Sequence, residues 1–267
     1  MNGYERLAFR LMGRYAEKKR DSYSALRNDL VTARMKVPFE VYLSTAYMSS
    51  VIAAIVASIL LGLVTYLLNI PGMIKYQGAV PEFMLTINEY SLIIGTILAA
   101  VISFAVIGGI TFLIFLVYPS VMAGNRSRNI DATLPYAINY ITAMSTAGIP
   151  PAEIFRQLGS STMYGESAVE ARFITMEIDL FGRDLIDALR LISATTPSMR
   201  MKEFLQGAMG CISAGSSLTE YFRTKAEQYS LENRQSQKLF LDTLGLISES
   251  YVTAMVAGPL FLIILQS

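Results

Sequence analysis

The sequence contains no histidine and no tryptophan, and its 267 residues include one cysteine, Cys211. Without histidine the common zinc sites and the Ser-His and Cys-His nucleophile systems cannot be assembled. A single cysteine excludes an internal disulfide, and the apolar helical surroundings of Cys211 predict a small buried side chain. No Gly-x4-Gly-Lys-Ser/Thr run is present, so the chain has no Walker phosphate loop of its own. Carboxylate pairs such as Glu166/Glu170 and Glu177/Asp179 are expected as surface charge on solvated helix faces. Nothing predicts a catalytic residue, a cofactor, a metal site or a nucleic-acid partner. Charge itself is missing from two long stretches: none lies between Glu40 and Lys75, or between Glu89 and Arg126.

Within these stretches, residues 48–68 and 92–117 are predominantly apolar and long enough to cross a hydrocarbon core of ~30 Å as helices, which takes about 20 residues. A backbone can cross only if its hydrogen bonds close internally, so each is read as a transmembrane helix. Small residues recur every fourth position, at Ser50, Ala54, Ser58 and Gly62 in the first and Gly95, Ala99 and Ser103 in the second. Such ladders let helix backbones approach closely in lipid. They fit either packing of the two spans as a hairpin or an interface with another membrane protein, including a homodimer. Neither span carries an ionisable residue, which argues against a transporter or channel subunit.

Residues 1–40 hold nine Lys/Arg against five Asp/Glu, whereas the loop between the spans offers Lys75 with Glu82 and Glu89. Arg126 and Arg128 follow the second span. The positive-inside rule therefore predicts a cell-membrane, multi-pass protein with its N-terminus and its 119–247 region in the cytoplasm. Residues 1–20 are basic but lack the apolar centre of a signal peptide. Near the other end an apolar run from 252 to 265, with Pro259, is expected to begin a third, truncated transmembrane helix over 248–267.

No stretch shows sustained period-two alternation, and the predicted fold class is all-α: a transmembrane helical hairpin (41–118), a cytoplasmic six-helix bundle (119–247) and the partial third span. Two short amphipathic helices fill 1–40. In the first, Tyr4, Leu7, Leu11 and Tyr15 share a face; in the second, capped by Asp21 or Ser22, Leu26 and Leu30 point inward. Both either belong to the cytoplasmic part or lie on the membrane surface. The bundle helices are predicted near 131–146, 150–159, 165–180, 184–194, 198–214 and 217–239, with Leu134, Ile138 and Ile141 as the apolar stripe of the first. Gly148 ends that helix and Pro150–Pro151 restart the chain, while Pro197 is read as another first-turn proline.

A short pattern occurs three times, starting at Gly148, Gly182 and Gly215: Gly, an acid five positions on, an apolar residue at seven and Arg at eight. Asp184 and Ser217 are predicted N-caps, and Glu153, Asp187 and Glu220 first-turn charges opposing the helix dipole. Each acid lies three residues before its arginine, so Arg156, Arg190 and Arg223 can pair along the helix surface. The spacing matches the tetratricopeptide period, but that array's residue pattern is absent.

Asp131-x-x-Leu134-Pro135, then Gly148-Ile-Pro150, then Gly215-Ser-Ser-Leu218 resembles the type II secretion system F domain. The order of parts, with Arg34-Met-Lys-Val-Pro-Phe-Glu-Val-Tyr42 before the hairpin, is similar to the archaellum and archaeal pilus assembly branch. The resemblance implies a non-enzymatic membrane platform that binds a hexameric cytoplasmic secretion ATPase and passes its motion to pilin or archaellin subunits. This chain departs from the usual pattern in having one F domain rather than two. Arg14, Lys18, Lys19 and Arg20, with Arg156, Arg190 and Arg223, form the candidate ATPase-docking surface. Topology setting, binding of anionic membrane lipids and intrahelical pairing account for the same residues. A membrane-tethered adaptor or signalling protein is the alternative reading.

Overall fold

The structure, a computed structural model, describes residues 3–68 and 91–266. The inter-span loop with Lys75, Glu82 and Glu89 therefore lies outside the described residues. Every regular element among those described is an α-helix: α1 (Gly3–Lys18), α2 (Ser24–Thr32), α3 (Phe39–Leu67), α4 (Ser91–Thr146), α5 (Pro151–Ser160), α6 (Gly165–Asp179), α7 (Leu185–Thr195), α8 (Met199–Ala214) and α9 (Leu218–Gln266). Three of them, α3, α4 and α9, contain runs long and apolar enough to cross a membrane. The contacts divide the chain into two units, residues 1–125 and 126–267.

Fewer, longer helices form than the sequence predicts. The second span and the first bundle helix are one element of 56 residues, about 84 Å at 1.5 Å per residue. The last bundle helix likewise runs into the third apolar run as one element of 49 residues with Pro259 inside it. A helix closes its own backbone hydrogen bonds, so a change from apolar to polar side chains does not by itself end one.

In the first unit the ladder packs the two spans together. Ser50 and Ala54 are buried, a Cβ on Gly108 would stand 3.0 Å from that of Ala54, and Ser58 Oγ donates to the Ala100 carbonyl at 3.0 Å. From α4 the close partners are Ala100 and Gly108, with Ser103 buried and Gly95 and Ala99 half-buried. Ser50, Ala54 and Ser58 thus face the second span, whose close residues, Ala100 and Gly108, are not those of its predicted ladder. At the other end of this pair Tyr42, Tyr47, Phe112 and Phe115 form an aromatic group, with Tyr47 stacked on Phe112 at 4.9 Å.

Pro119 falls inside α4. A proline lacks the N–H that would serve the carbonyl four residues back, here that of Phe115. Tyr42 Oη donates to that carbonyl at 2.8 Å. A hydroxyl from α3 thus replaces the bond the proline removes.

The N-terminal helices depart from expectation in detail. Leu26 and Leu30 of α2 are buried as predicted. Its N-cap is Tyr23, without a side-chain cap bond, rather than Asp21 or Ser22. In α1 the buried positions are Ala8, Gly13 and Ala16, whereas Tyr4, Leu7, Leu11 and Tyr15 are 43–69% exposed. Small residues allow α1 to approach α3 closely, and the large apolar residues point elsewhere.

The bundle of the second unit is formed by residues 126–146 of α4, then α5 to α8, then the start of α9, whose remainder belongs to the same unit. Leu134, Ile138 and Ile141 meet Ile154, Leu158, Ile174, Leu189, Ile192, Phe204 and Phe222 in one apolar core. Short connections make sequential neighbours antiparallel. At Gly159 the backbones of α5 and α6 nearly touch, since an added Cβ would lie 2.8 Å from the Arg172 nitrogen.

Candidate functional site

The three copies of the short pattern fold alike. Gly148, Gly182 and Gly215 all adopt positive φ, at 80°, 64° and 67°, a region open to glycine at no steric cost. Each closes one helix before the next begins. Asp184 Oδ2 accepts from Ile186 N and Ser217 Oγ from Glu220 N, both at 3.3 Å, so both predicted N-caps form. Pro197 instead precedes the N-cap Ser198, whose Oγ accepts from Met201 N at 3.0 Å.

Because the helices alternate in direction, all three glycine turns lie at the end of the bundle where α4 stops; Ser145 at the end of α4 bonds Thr219 at the start of α9. Each arginine of the pattern pairs with the acid three residues earlier: Arg156 with Glu153, Arg190 with Asp187 at 2.7 Å, and Arg223 with Glu220 at 3.7 Å. Arg156 also forks onto Asp179 at 2.7 and 3.1 Å. Hydrogen bonding to Arg156 holds the Asp179 carboxyl below its usual range, and the same contacts raise Arg156. This end therefore presents compensated ion pairs rather than bare positive charge. Leu180 and Phe181, 73% and 65% exposed, sit between α6 and Gly182.

Of the other candidate docking residues, Arg14, Lys18 and Arg20 are exposed and Lys19 is half-buried, its Nζ 5.4 Å from the centre of the Tyr15 ring. These belong to the first unit and the three arginines to the second.

The family-motif residues turn out to be fold determinants. Asp131 accepts a hydrogen bond from Ser198 Oγ, the group that caps α8. Leu134 lies in the core, and Pro135 is buried within α4. Pro150 is the N-cap of α5, and Gly215 closes α8 in the left-handed conformation.

One polar cluster lies outside the predicted sites. Arg126 reaches Glu166 at 3.0 Å and Glu170 at 2.6 Å, and Glu170 is fully buried. The expectation of a solvated Glu166/Glu170 pair is thus corrected: Glu170 faces the bundle, where Arg126 balances it. Removing one partner of such a pair costs about 3–5 kcal/mol. Beside it lies a cleft of about 500 Å³ lined by Asn129, Thr133, Gly165, Glu166 and Arg172 among others. The signal for this cluster in the sequence was the first arginine beyond an apolar span, but its partner is 44 residues away.

Among known proteins, the profile of the family described as type II secretion system (T2SS), protein F, matches residues 137–266. An uncharacterized protein of Methanocaldococcus jannaschii is 31% identical over 156 residues, 58% of this chain and 26% of its own length. Flagella accessory protein J of the same organism is 23% identical over 182 residues, 64% of this chain and 32% of its own. The chain thus spans between about a quarter and a third of the length of these relatives. No solved structure matches. The matched segment starts inside α4 and covers the rest of the bundle and all of α9, so residues 137–266 are similar to the type II secretion system protein F domain.

Proposed function

We propose that this chain is an integral membrane platform subunit of an archaeal pilus or archaellum assembly machine of the type II secretion kind. Its N-terminus and bundle face the cytoplasm, following the basic residues that flank the spans. There it receives a hexameric secretion ATPase and couples its motion to pilin or archaellin subunits. The observation that carries this reading is the family match over the bundle, joined to a build in which α4 and α9 each continue from bundle residues into an apolar run. A push on such a helix travels along a hydrogen-bonded backbone rather than through a flexible linker.

Arg14, Lys18, Lys19 and Arg20 are the stronger docking candidates, because Arg156, Arg190 and Arg223 already have carboxylate partners. Co-purification from detergent-solubilised membranes tests the role: a hexameric ATPase accompanies the wild-type chain, and changing the four N-terminal residues to Glu abolishes its capture. Reversing the three bundle arginines leaves capture largely intact. A chain that brings down no ATPase, or whose Gly165 region is labelled from outside intact cells, is not this platform.

A further inference from the structure

The first helix repeats at four residues: Arg6-Leu7-Ala8, Arg10-Leu11-Met12, Arg14-Tyr15-Ala16. Residues four apart are neighbours on a helix, so these triplets make three parallel rows. The small row is spent on the protein, since Ala8 and Ala16 are fully buried and Met12 half-buried. The apolar row, extended by Tyr4, is exposed, with Leu7 at 55% and Leu11 at 69%. The arginine row is exposed as well and borders the apolar row on the side away from Ala8 and Ala16.

The level of the helix is marked by aromatic contacts. The Tyr15 ring packs edge-on against Tyr47 at 5.4 Å, and Tyr47 stacks on Phe112. Tyr47 directly precedes the apolar run that starts at Met48, and tyrosines of this kind concentrate where headgroups meet hydrocarbon. Tyr15, at one end of the apolar row, stands at that level, and a row of this kind edged by guanidinium groups suits acyl chains together with anionic headgroups.

We propose that α1 is a lipid-binding helix. It is clamped to the first span by its small row, sinks its Tyr4–Leu7–Leu11–Tyr15 row into the adjacent leaflet and holds anionic headgroups with Arg6 and Arg10. This rests on α3 crossing the membrane and not on the assembly role.

The test uses the full chain, Cys211→Ser, spin-labelled singly at positions 6, 7, 10, 11, 14 and 15 and placed one copy per nanodisc. Discs contain phosphatidylcholine alone or mixed with phosphatidylglycerol. Collision with oxygen reports lipid, and collision with a water-soluble nickel chelate reports solvent. Oxygen reaches positions 7, 11 and 15 and the chelate reaches 6, 10 and 14. Oxygen access at 7 and 11 falls when phosphatidylglycerol is omitted, or when Arg6 and Arg10 are changed to Gln. The proposal is overturned if the chelate reaches the apolar row, if neither reagent does because protein covers it, or if anionic lipid makes no difference. Failure of ATPase capture leaves this result standing, so the two readings are separable.

Discussion

Individual hydrogen bonds decide whether the long helices of this chain survive their prolines. Pro119 leaves the Phe115 carbonyl without its helical donor, and Tyr42 Oη supplies one from the neighbouring helix. A buried acceptor stripped of its partner costs about 1–3 kcal/mol. Tyr42→Phe removes only the hydroxyl, so it is expected to destabilise the hairpin by about that amount, whereas Tyr66→Phe, on an exposed position of the same helix, is silent. Thermal unfolding of the detergent-solubilised chain, followed by helicity, checks the difference. Ionic contacts differ by burial in the same way. Glu170 is enclosed and balanced by Arg126, whereas Asp179 and Arg156 are both solvent-accessible. Asp179 has its pKa lowered from about 3.8, chiefly by the Arg156 hydrogen bonds. A carboxyl depressed on folding adds stability that is complete above its unfolded value and is lost as pH falls through the folded one. Wild type and Arg156→Gln are therefore expected to differ most above the unfolded value, and to converge as pH falls through the lowered folded one. A gap that persists or widens on acidification means that Asp179 is not the group responsible.

At the scale of elements, the sequence was most legible where local chemistry decides. The three glycine turns, the caps at Asp184 and Ser217, and the stripe of Leu134, Ile138 and Ile141 were all readable from spacing. Each is a matter of a few neighbouring residues and their φ values or periodicity. Non-local features were not readable. That Glu170 is buried depends on an arginine 44 residues earlier. Which face of α1 packs on α3 was not legible either, because close approach selects Ala8 and Ala16 and not the row of large apolar residues. Backbone approach explains a further constraint hidden in the sequence. Gly159 sits near the end of a short helix, yet a methyl group there would meet the Arg172 nitrogen and Cα at 2.8 and 2.9 Å. Those are backbone atoms of another helix and cannot rotate aside, and overpacking of this kind costs about 1–3 kcal/mol. Gly159→Ala is expected to lower the bundle's thermal midpoint accordingly. Gly210→Ala, on a helix position with open space around it, raises it slightly through helix propensity. Equal effects of the two substitutions would mean that α5 and α6 are not in contact at this point.

For the whole molecule, the consequence lies in the length of the helices. A hydrocarbon core of ~30 Å takes about 20 residues, and α9 has 49. Its first turns are built into the bundle, where Phe222 is fully buried, and its later apolar residues, among them Leu246, Tyr251 and Met255, are exposed. Between them, residues 236–238 are exposed on every side, so α9 crosses this interval as a bare helix. If the chain couples a motor to a growing fibre, that interval is where rigidity matters and where packing is not at stake. Inserting Gly-Ser-Gly-Ser after Gln237 breaks the helical path without touching the core. The expected outcome is a chain that keeps its bundle, judged by protease resistance, and still captures the ATPase, while fibres on the cell surface fall to background in electron micrographs. A four-residue Ala insertion at the same place keeps the helix but rotates the apolar run beyond it by about 40°, from 3.6 residues per turn, and is expected to retain part of the assembly. Fibres at wild-type number with the flexible insert would show that force does not pass along α9, leaving α4 as the path by which bundle motion enters the membrane.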